Sequence, residues 1–194
     1  MKKIFIIIVI FISFQSWSTA NDIRDFEIEG ISIGDSALDF FTKKQLDDKS
    51  YILGTSDKYL TSYFYKSEFK DYEAVEVSYL KNDKNYIIKG ISGGNTVTNL
   101  DDCKEKYNII KNDLNNFFKN AESFDDSGLH PADKANKSKY FRTGYSINSK
   151  SNYFEVETSC IFYQGEIAKK FTSNAGVTIK DDDMQEWLNK EAYN

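Results

Sequence analysis

Residues 101–119 carry apolar positions spaced four and three residues apart, a pattern that predicts one amphipathic helix. The side chains on its apolar face are Cys103, Tyr107, Ile110, Leu114 and Phe117. A pair of strand-like segments precedes this helix, and a second cysteine lies far downstream. We therefore expect the rest of the chain to pack around it.

Several shorter segments alternate between apolar and polar residues, as half-buried strands do. In the segment 72–80, Val75 and Val77 fall on one face and Glu76 falls on the other. The strands predicted in this way are 59–65, 72–80, 86–92, 140–147, 153–163 and 177–179.

Two further helices are predicted from their capping residues. Ser36, with Asp39 three residues later, would begin a helix over 37–48, and Asp181 would begin a final helix. The strands come in hairpin-like runs and do not alternate strictly with helices. The sequence therefore predicts an α+β fold, an antiparallel sheet with two to three helices packed on one face, in a single domain over 21–194.

Residues 1–20 have the features of a cleaved signal peptide. Lys2 and Lys3 form a positive start, and residues 4–14 form an apolar run that is too short for a comfortable membrane span. Ser18 and Ala20 supply the small residues at positions −3 and −1 of a cleavage site. We expect a soluble periplasmic or secreted protein with no membrane anchor after signal cleavage.

The charge of the chain is acidic. The whole sequence has a net charge of −5, and without Lys2 and Lys3 the net charge becomes about −7. An acidic surface repels phosphate backbones, so we expect no nucleic-acid partner.

Cys103 and Cys160 each fall on the apolar face of a predicted element. An oxidising compartment favours a disulfide between them, which would join the central helix to a strand 57 residues away. The loop-closure model gives this bond about 4 kcal/mol of stability. The alternative is two separate buried thiols that behave as small apolar groups. No C-x-x-C motif is present, so a redox-active pair is disfavoured.

Residues 121–139 have few apolar side chains and contain the only histidine and the only proline, which predicts a long loop. His130, Asp133 and Ser138 are weak catalytic candidates, because together they could supply the base, acid and nucleophile of a hydrolase. A nucleophile elbow and oxyanion donors are not recognisable, however. A surface loop in which His130 and Asp133 cap a turn is the favoured interpretation.

Two acidic clusters are candidate cation ligands: residues 181–183, and Asp125 and Asp126 together with Asp133. The first cluster complements the dipole of a helix start without a metal, and no segment matches a calcium-binding loop. We therefore expect no metal and no cofactor.

Two other patterns have ordinary explanations beside functional ones. The glycines of 90–95 lack the lysine and hydroxyl residue of a phosphate-binding loop and fit the end of a strand. The tyrosines of 59–65 could form a sugar-stacking platform, but strand propensity explains them as well.

The segment 28–39, IEGISIGDSALD, resembles the opening of an uncharacterised family of small exported proteins of marine alphaproteobacteria. The other parts that resemble this family are residues 86–93, Cys103, His130, Asp133 and Ser138. The resemblance covers most of the chain after the leader and implies export, but it implies no activity because none is assigned to the family. The turn GISIGDS followed by a helix is also similar to the start of the small outer-membrane assembly lipoproteins, whose lipid-bearing cysteine is missing here.

These observations favour a non-enzymatic interaction or binding module of the cell envelope, acting on a protein or a small ligand. One alternative is a hydrolase that uses the loop 121–139. Another is a binder of sugar or peptide, which predicts aromatic side chains along one concavity.

Overall fold

The computed structural model describes residues 22–65, 69–147 and 155–193. The expected signal peptide, residues 1–20, lies outside these ranges. Within them the strands form a single eight-stranded antiparallel sheet in the order β1-β2-β3-β4-β8-β7-β6-β5. The strands are β1 Ser50–Ile52, β2 Tyr59–Tyr65, β3 Ala74–Leu80, β4 Ile88–Thr96, β5 Glu122–Leu129, β6 Lys139–Ser146, β7 Val156–Phe162 and β8 Asn174–Lys180.

Three α-helices accompany the sheet in the described part of the chain: α1 Lys43–Asp48, α2 Leu100–Phe117 and α3 Asp182–Lys190. Short 3-10 turns lie at Ile23–Asp25, Ala37–Asp39 and Gly165–Lys169. The antiparallel α+β class expected from the sequence is thus confirmed. None of these helices has both the length and the apolar content needed to cross a membrane.

The helix starts follow the capping rules, with one correction. Asp181 caps α3 as predicted, since its side chain accepts a hydrogen bond from the backbone N–H of Met184. The predicted helix over 37–48 is wrong in its first half. Ser36 caps only a 3-10 turn, and Thr42 with Gln45 forms the capping box that begins α1.

One face of the sheet, which we call the covered face, forms the main core. Its side chains include Val75, Val77, Ile91, Val156, Val177 and Ile179. Helix α1 lies over β2, where Phe41 stacks on Phe64 with ring centroids 3.7 Å apart. Helix α2 lies over β7 and β8. The segment before α1 completes the cover, and its Ile28 fits against Gly93, where a Cβ atom would clash.

A disulfide fastens α2 to this face. Cys103 of α2 and Cys160 of β7 are joined with an S–S distance of 2.09 Å, and both residues are fully buried. The disulfide predicted from the sequence is therefore confirmed. It connects the helix to the centre of the second half of the sheet, as the matching apolar faces require.

The other face, which we call the open face, carries a different set of side chains. They include Tyr51, Tyr63, Tyr65, Glu76, Ser92, Gly94, Glu157, Thr178 and Lys180. Helix α3 packs against one end of it, where Met184 lies on Gly90 and Trp187 contacts Tyr59 with ring centroids 4.7 Å apart. This placement of α3 departs from the expected layer of helices on one face. The absence of a side chain at Gly90 is what gives Met184 its room.

The segment 121–139 is not one long loop, because Glu122–Leu129 forms the edge strand β5. Nearly all of its residues are exposed, so it lacks the apolar alternation by which a strand is recognised. The loop that remains runs from His130 to Ser138.

The expectation that glycines end the second hairpin arm was also wrong. Strand β4 continues through Gly93 and Gly94 to Thr96, and both glycines pair with neighbours on β3 and β8. Two close approaches explain the small residues here. Ile28 and Tyr72 occupy the side-chain space of Gly93, and the backbone of β4 occupies that of Gly176.

Candidate functional site

The three weak catalytic candidates, His130, Asp133 and Ser138, lie in one short loop, and most of their polar atoms are used within it. The Asp133 carboxylate accepts backbone N–H groups from Ala135, Lys137 and Ser138, at 3.0, 2.9 and 2.7 Å. The Ser138 N–H and then the Ser138 hydroxyl lower the pKa of Asp133 to about 2. Asp133 therefore holds the loop in shape as a charged acceptor.

Ser138 is poorly placed to act as a nucleophile. Its side chain is fully buried, and its Oγ accepts a hydrogen bond from the backbone N–H of Gln164 at 2.9 Å. Nδ1 of His130 accepts the N–H of Ala132 at 3.3 Å, and the imidazole ring contacts Tyr163 with centroids 5.0 Å apart. The sequence brought the right residues into one loop, but their contacts describe a turn and not a relay from Asp to His to Ser.

The acidic clusters have protein partners. Lys111 binds Asp125 at 2.7 Å, Arg142 binds Asp126 at 2.6 Å, and Lys89 binds Asp181 at 2.7 Å. Within residues 22–65, 69–147 and 155–193, no three His, Cys, Asp or Glu side chains are grouped so as to hold a metal ion.

A cavity of about 540 Å³ lies between residues 22–24 and 181–183, and a group of adjoining cavities lies along the open face of the sheet. The three cavities along the open face have volumes of about 310, 240 and 230 Å³. The first two share Glu76, Ser92 and Thr178, so they adjoin one another at the centre of the sheet. Pockets of this size, with a few convergent polar groups, are the usual form of a small-molecule site.

The floor of these cavities is made of small and hydroxyl-bearing residues. Ser92 and Thr178 stand side by side on β4 and β8, and their hydroxyl oxygens are 3.0 Å apart. Gly94 has no atom within 4 Å of the position that a Cβ would take. The cavity of about 310 Å³ therefore reaches the backbone of β4 directly.

Glu76 forms one wall at the junction of the two cavities. Burial raises the pKa of Glu76, and its hydrogen-bond partner is the Tyr51 hydroxyl, at the long distance of 3.5 Å. Beside it, the rings of Tyr63 and Tyr65 meet edge to face with centroids 4.7 Å apart. The result is a partly buried carboxyl group among three tyrosine rings.

Lys180 of β8 is paired with Gly90 of β4 and lines the same cavity as Glu76. Burial lowers the pKa of Lys180, while nearby Glu157 acts to raise it and Arg142 acts to lower it. No carboxylate in the described ranges comes within ion-pair distance of its ammonium group. Two opposite charges thus line one cavity of about 240 Å³ without pairing with each other.

Sequence reasoning identified parts of this face but not the site. The alternation of 72–80 placed Glu76 opposite Val75 and Val77, and the tyrosines of 59–65 were recognised as a platform with an ordinary explanation. Ser92, Thr178 and Lys180 were not singled out. Their proximity to Glu76 depends on the pairing of β4 with β8, which joins segments more than 80 residues apart and has no local signal.

No protein-family model matches this chain, and comparisons with curated proteins and with solved structures also found no match. The resemblance to exported alphaproteobacterial proteins therefore stays a prediction.

Proposed function

We propose that this protein is an exported, non-enzymatic binding protein that holds a small polar ligand on the open face of its sheet. The observation that carries the proposal is that Glu76 and Lys180 line one cavity, are partly buried and form no ion pair in the described part of the chain. A charge that is removed from water without a partner costs stability, and such groups concentrate at functional sites.

The surroundings of these charges suit a ligand with both polar and ring-stacking surfaces. Ser92 and Thr178 offer hydroxyl groups from the floor, and Tyr63 and Tyr65 offer aromatic surface at the side. Aromatic residues lining one concavity were the feature expected of a sugar or peptide binder. A binding role is further favoured over hydrolysis because Ser138 is buried and bonded within its loop.

The disulfide supports the exported part of the proposal. Disulfides persist in oxidising compartments and are rare in the cytosol, and Cys103–Cys160 lies at the attachment of the longest helix. Together with the expected leader over 1–20, it favours the periplasm or the cell exterior as the place of action.

The test is a thermal-shift titration of the mature chain with the dialysable small-molecule fraction of an envelope extract. A ligand present at ten times its Kd adds about 1.4 kcal/mol, which raises the Tm of a domain of this size by about 3–5 °C. The variant Gly94→Trp should lose this shift, because the indole fills the cavity of about 310 Å³ from a position that has free space.

Ile109→Trp is the matched control, since Ile109 is 56% exposed on α2, on the other side of the sheet. It should keep the shift of the wild type. The proposal fails if the extract raises the Tm of neither the wild type nor Ile109→Trp. It also fails if Gly94→Trp responds as strongly as Ile109→Trp while both variants melt at the wild-type temperature without ligand.

A further inference from the structure

Glu76 has no ion-pair partner in the part of the chain that the structure describes. Its one hydrogen bond is the 3.5 Å contact from the Tyr51 hydroxyl, and within the described ranges no lysine or arginine lies close enough to form an ion pair with it. Lys180, which lines the same cavity, makes no such pair either. A carboxyl group held in this way has a ready place for a positive group that comes from a ligand.

The three tyrosines around Glu76 add a second attraction for a cation. The face of an aromatic ring is electron-rich and attracts ammonium groups that lie within about 6 Å of the ring centre. Tyr63 and Tyr65 line the cavity of about 310 Å³ together with Glu76, and Tyr51 lines the adjoining cavity of about 240 Å³. Burial, with Glu76 nearby, raises the pKa of Tyr51 to about 12 and keeps the ring neutral.

The chemistry of this wall discriminates between kinds of cation. A divalent metal ion requires about six oxygen ligands, and one carboxyl group with neutral phenols does not supply them. A primary ammonium group requires several hydrogen-bond acceptors in order to replace its water. A quaternary ammonium group forms no hydrogen bonds of its own, and it needs only aromatic surface and a nearby negative charge.

We propose that Glu76, Tyr63 and Tyr65, which line one cavity, bind the quaternary ammonium group of a small organic cation. This inference rests on the proposed function, because it names the ligand chemistry of the same open face. The remainder of such a molecule would lie over the floor, where the Ser92 and Thr178 hydroxyls can bond to its polar end.

The experiment is a calorimetric titration of the mature chain with choline chloride, with sodium chloride at equal ionic strength in the reference. The matched probe is the neutral carbon isostere of choline, in which a tert-butyl group replaces the trimethylammonium group. We expect choline to bind at least tenfold more tightly than the isostere. Glu76→Gln should weaken choline binding by about tenfold, and Tyr63→Leu by about threefold or more, in line with the strength of cation–π contacts.

Ile109→Ala serves as the control variant and should bind choline as the wild type does. Equal affinity for choline and its isostere overturns the inference, as does unchanged choline binding by Glu76→Gln, or the absence of binding at millimolar choline. Each variant is first checked for a cooperative thermal transition, so loss of folding is not mistaken for loss of the site. If choline fails but the envelope extract still shifts the wild type and not Gly94→Trp, the open face binds another class of ligand and the proposed function stands.

Discussion

The two faces of the sheet differ in their charged groups. Buried hydroxyl groups have protein partners on both faces. Thr158 donates to the carbonyl of Gly176 at 2.9 Å, and the hydroxyls of Tyr107 and Thr143 are 2.5 Å apart. On the open face, Glu76 and Lys180 are partly buried and neither forms an ion pair in the described part of the chain. One face therefore resembles an ordinary core, and the other carries partly buried charges of the kind that concentrate at binding sites.

This difference separates the residues that stabilise the fold from those that destabilise it. Removing apolar surface from water on the covered face contributes about 25 cal/mol per Å². Burying an unpaired charge on the open face has the opposite sign. Proteins tolerate such conflicts mainly where function requires them, which is why we place the ligand on the open face.

The largest expected effect comes from the link that holds α2 to the covered face. Replacing Cys103 and Cys160 together by alanine should lower the free energy of unfolding by about 4 kcal/mol, because the bond closes a loop of 57 residues. The melting temperature should fall by about 10 °C. Calorimetry of the oxidised wild type and the double variant measures the change. A fall of less than about 1 kcal/mol would show that packing alone holds the helix.

The next effect tests the core under the same helix. Leu114 is fully buried on α2, so Leu114→Ala should cost about 3 kcal/mol through lost burial and a new cavity. Ile109, on the exposed side of the same helix, is the control, and Ile109→Ala should cost less than about 0.5 kcal/mol. Urea unfolding of the two variants gives the difference directly. Equal costs would mean that α2 is not seated on the sheet as described.

Much of the covered face was predictable because its signals are local. The spacing of Cys103, Tyr107 and Leu114 predicted the central helix, and all three side chains are buried. The shared apolar parity of Cys103 and Cys160 predicted the disulfide. Alternation also assigned Val75, Val77 and Glu76 to the correct faces, since a period of two follows from strand geometry alone.

The predictions were wrong where no local sequence pattern marks the structure. Strand β5 has exposed residues on both sides, so its pairing with β6 left no pattern in Glu122–Leu129. Strand β4 passes through glycines that the local sequence pattern assigns to a turn. Glycine is needed at position 93 because Ile28 and Tyr72 occupy the space of a side chain there. The open-face site combines Glu76, Ser92 and Thr178 from three strands, and only the long-range register of the sheet brings them together.

The smallest expected effect is the sharpest test of the comparison, because its sign is opposite to that of the first two. Burial raises the pKa of Glu76 above its ordinary value of 4.5, so the folded protein binds this proton more tightly than the unfolded chain does. Stability from this group is therefore lost as the pH rises through the raised pKa, when the carboxyl group ionises in its partly buried position.

Glu76→Gln should accordingly be more stable than the wild type at pH 7, by about 0.5 kcal/mol, since glutamine keeps an acceptor for Tyr51 and carries no charge. The gain should vanish below pH 4.5, where the wild-type carboxyl group is protonated in both states. Urea unfolding at both pH values measures it. Glu186→Gln is the control of opposite sign, because the hydrogen bond from Lys190 lowers the pKa of Glu186, and its loss should not stabilise the fold at neutral pH. A Glu76→Gln variant that is weaker than the wild type at pH 7 would mean that this carboxylate already has a stabilising partner, and the distinction between the two faces would fail at its most informative residue.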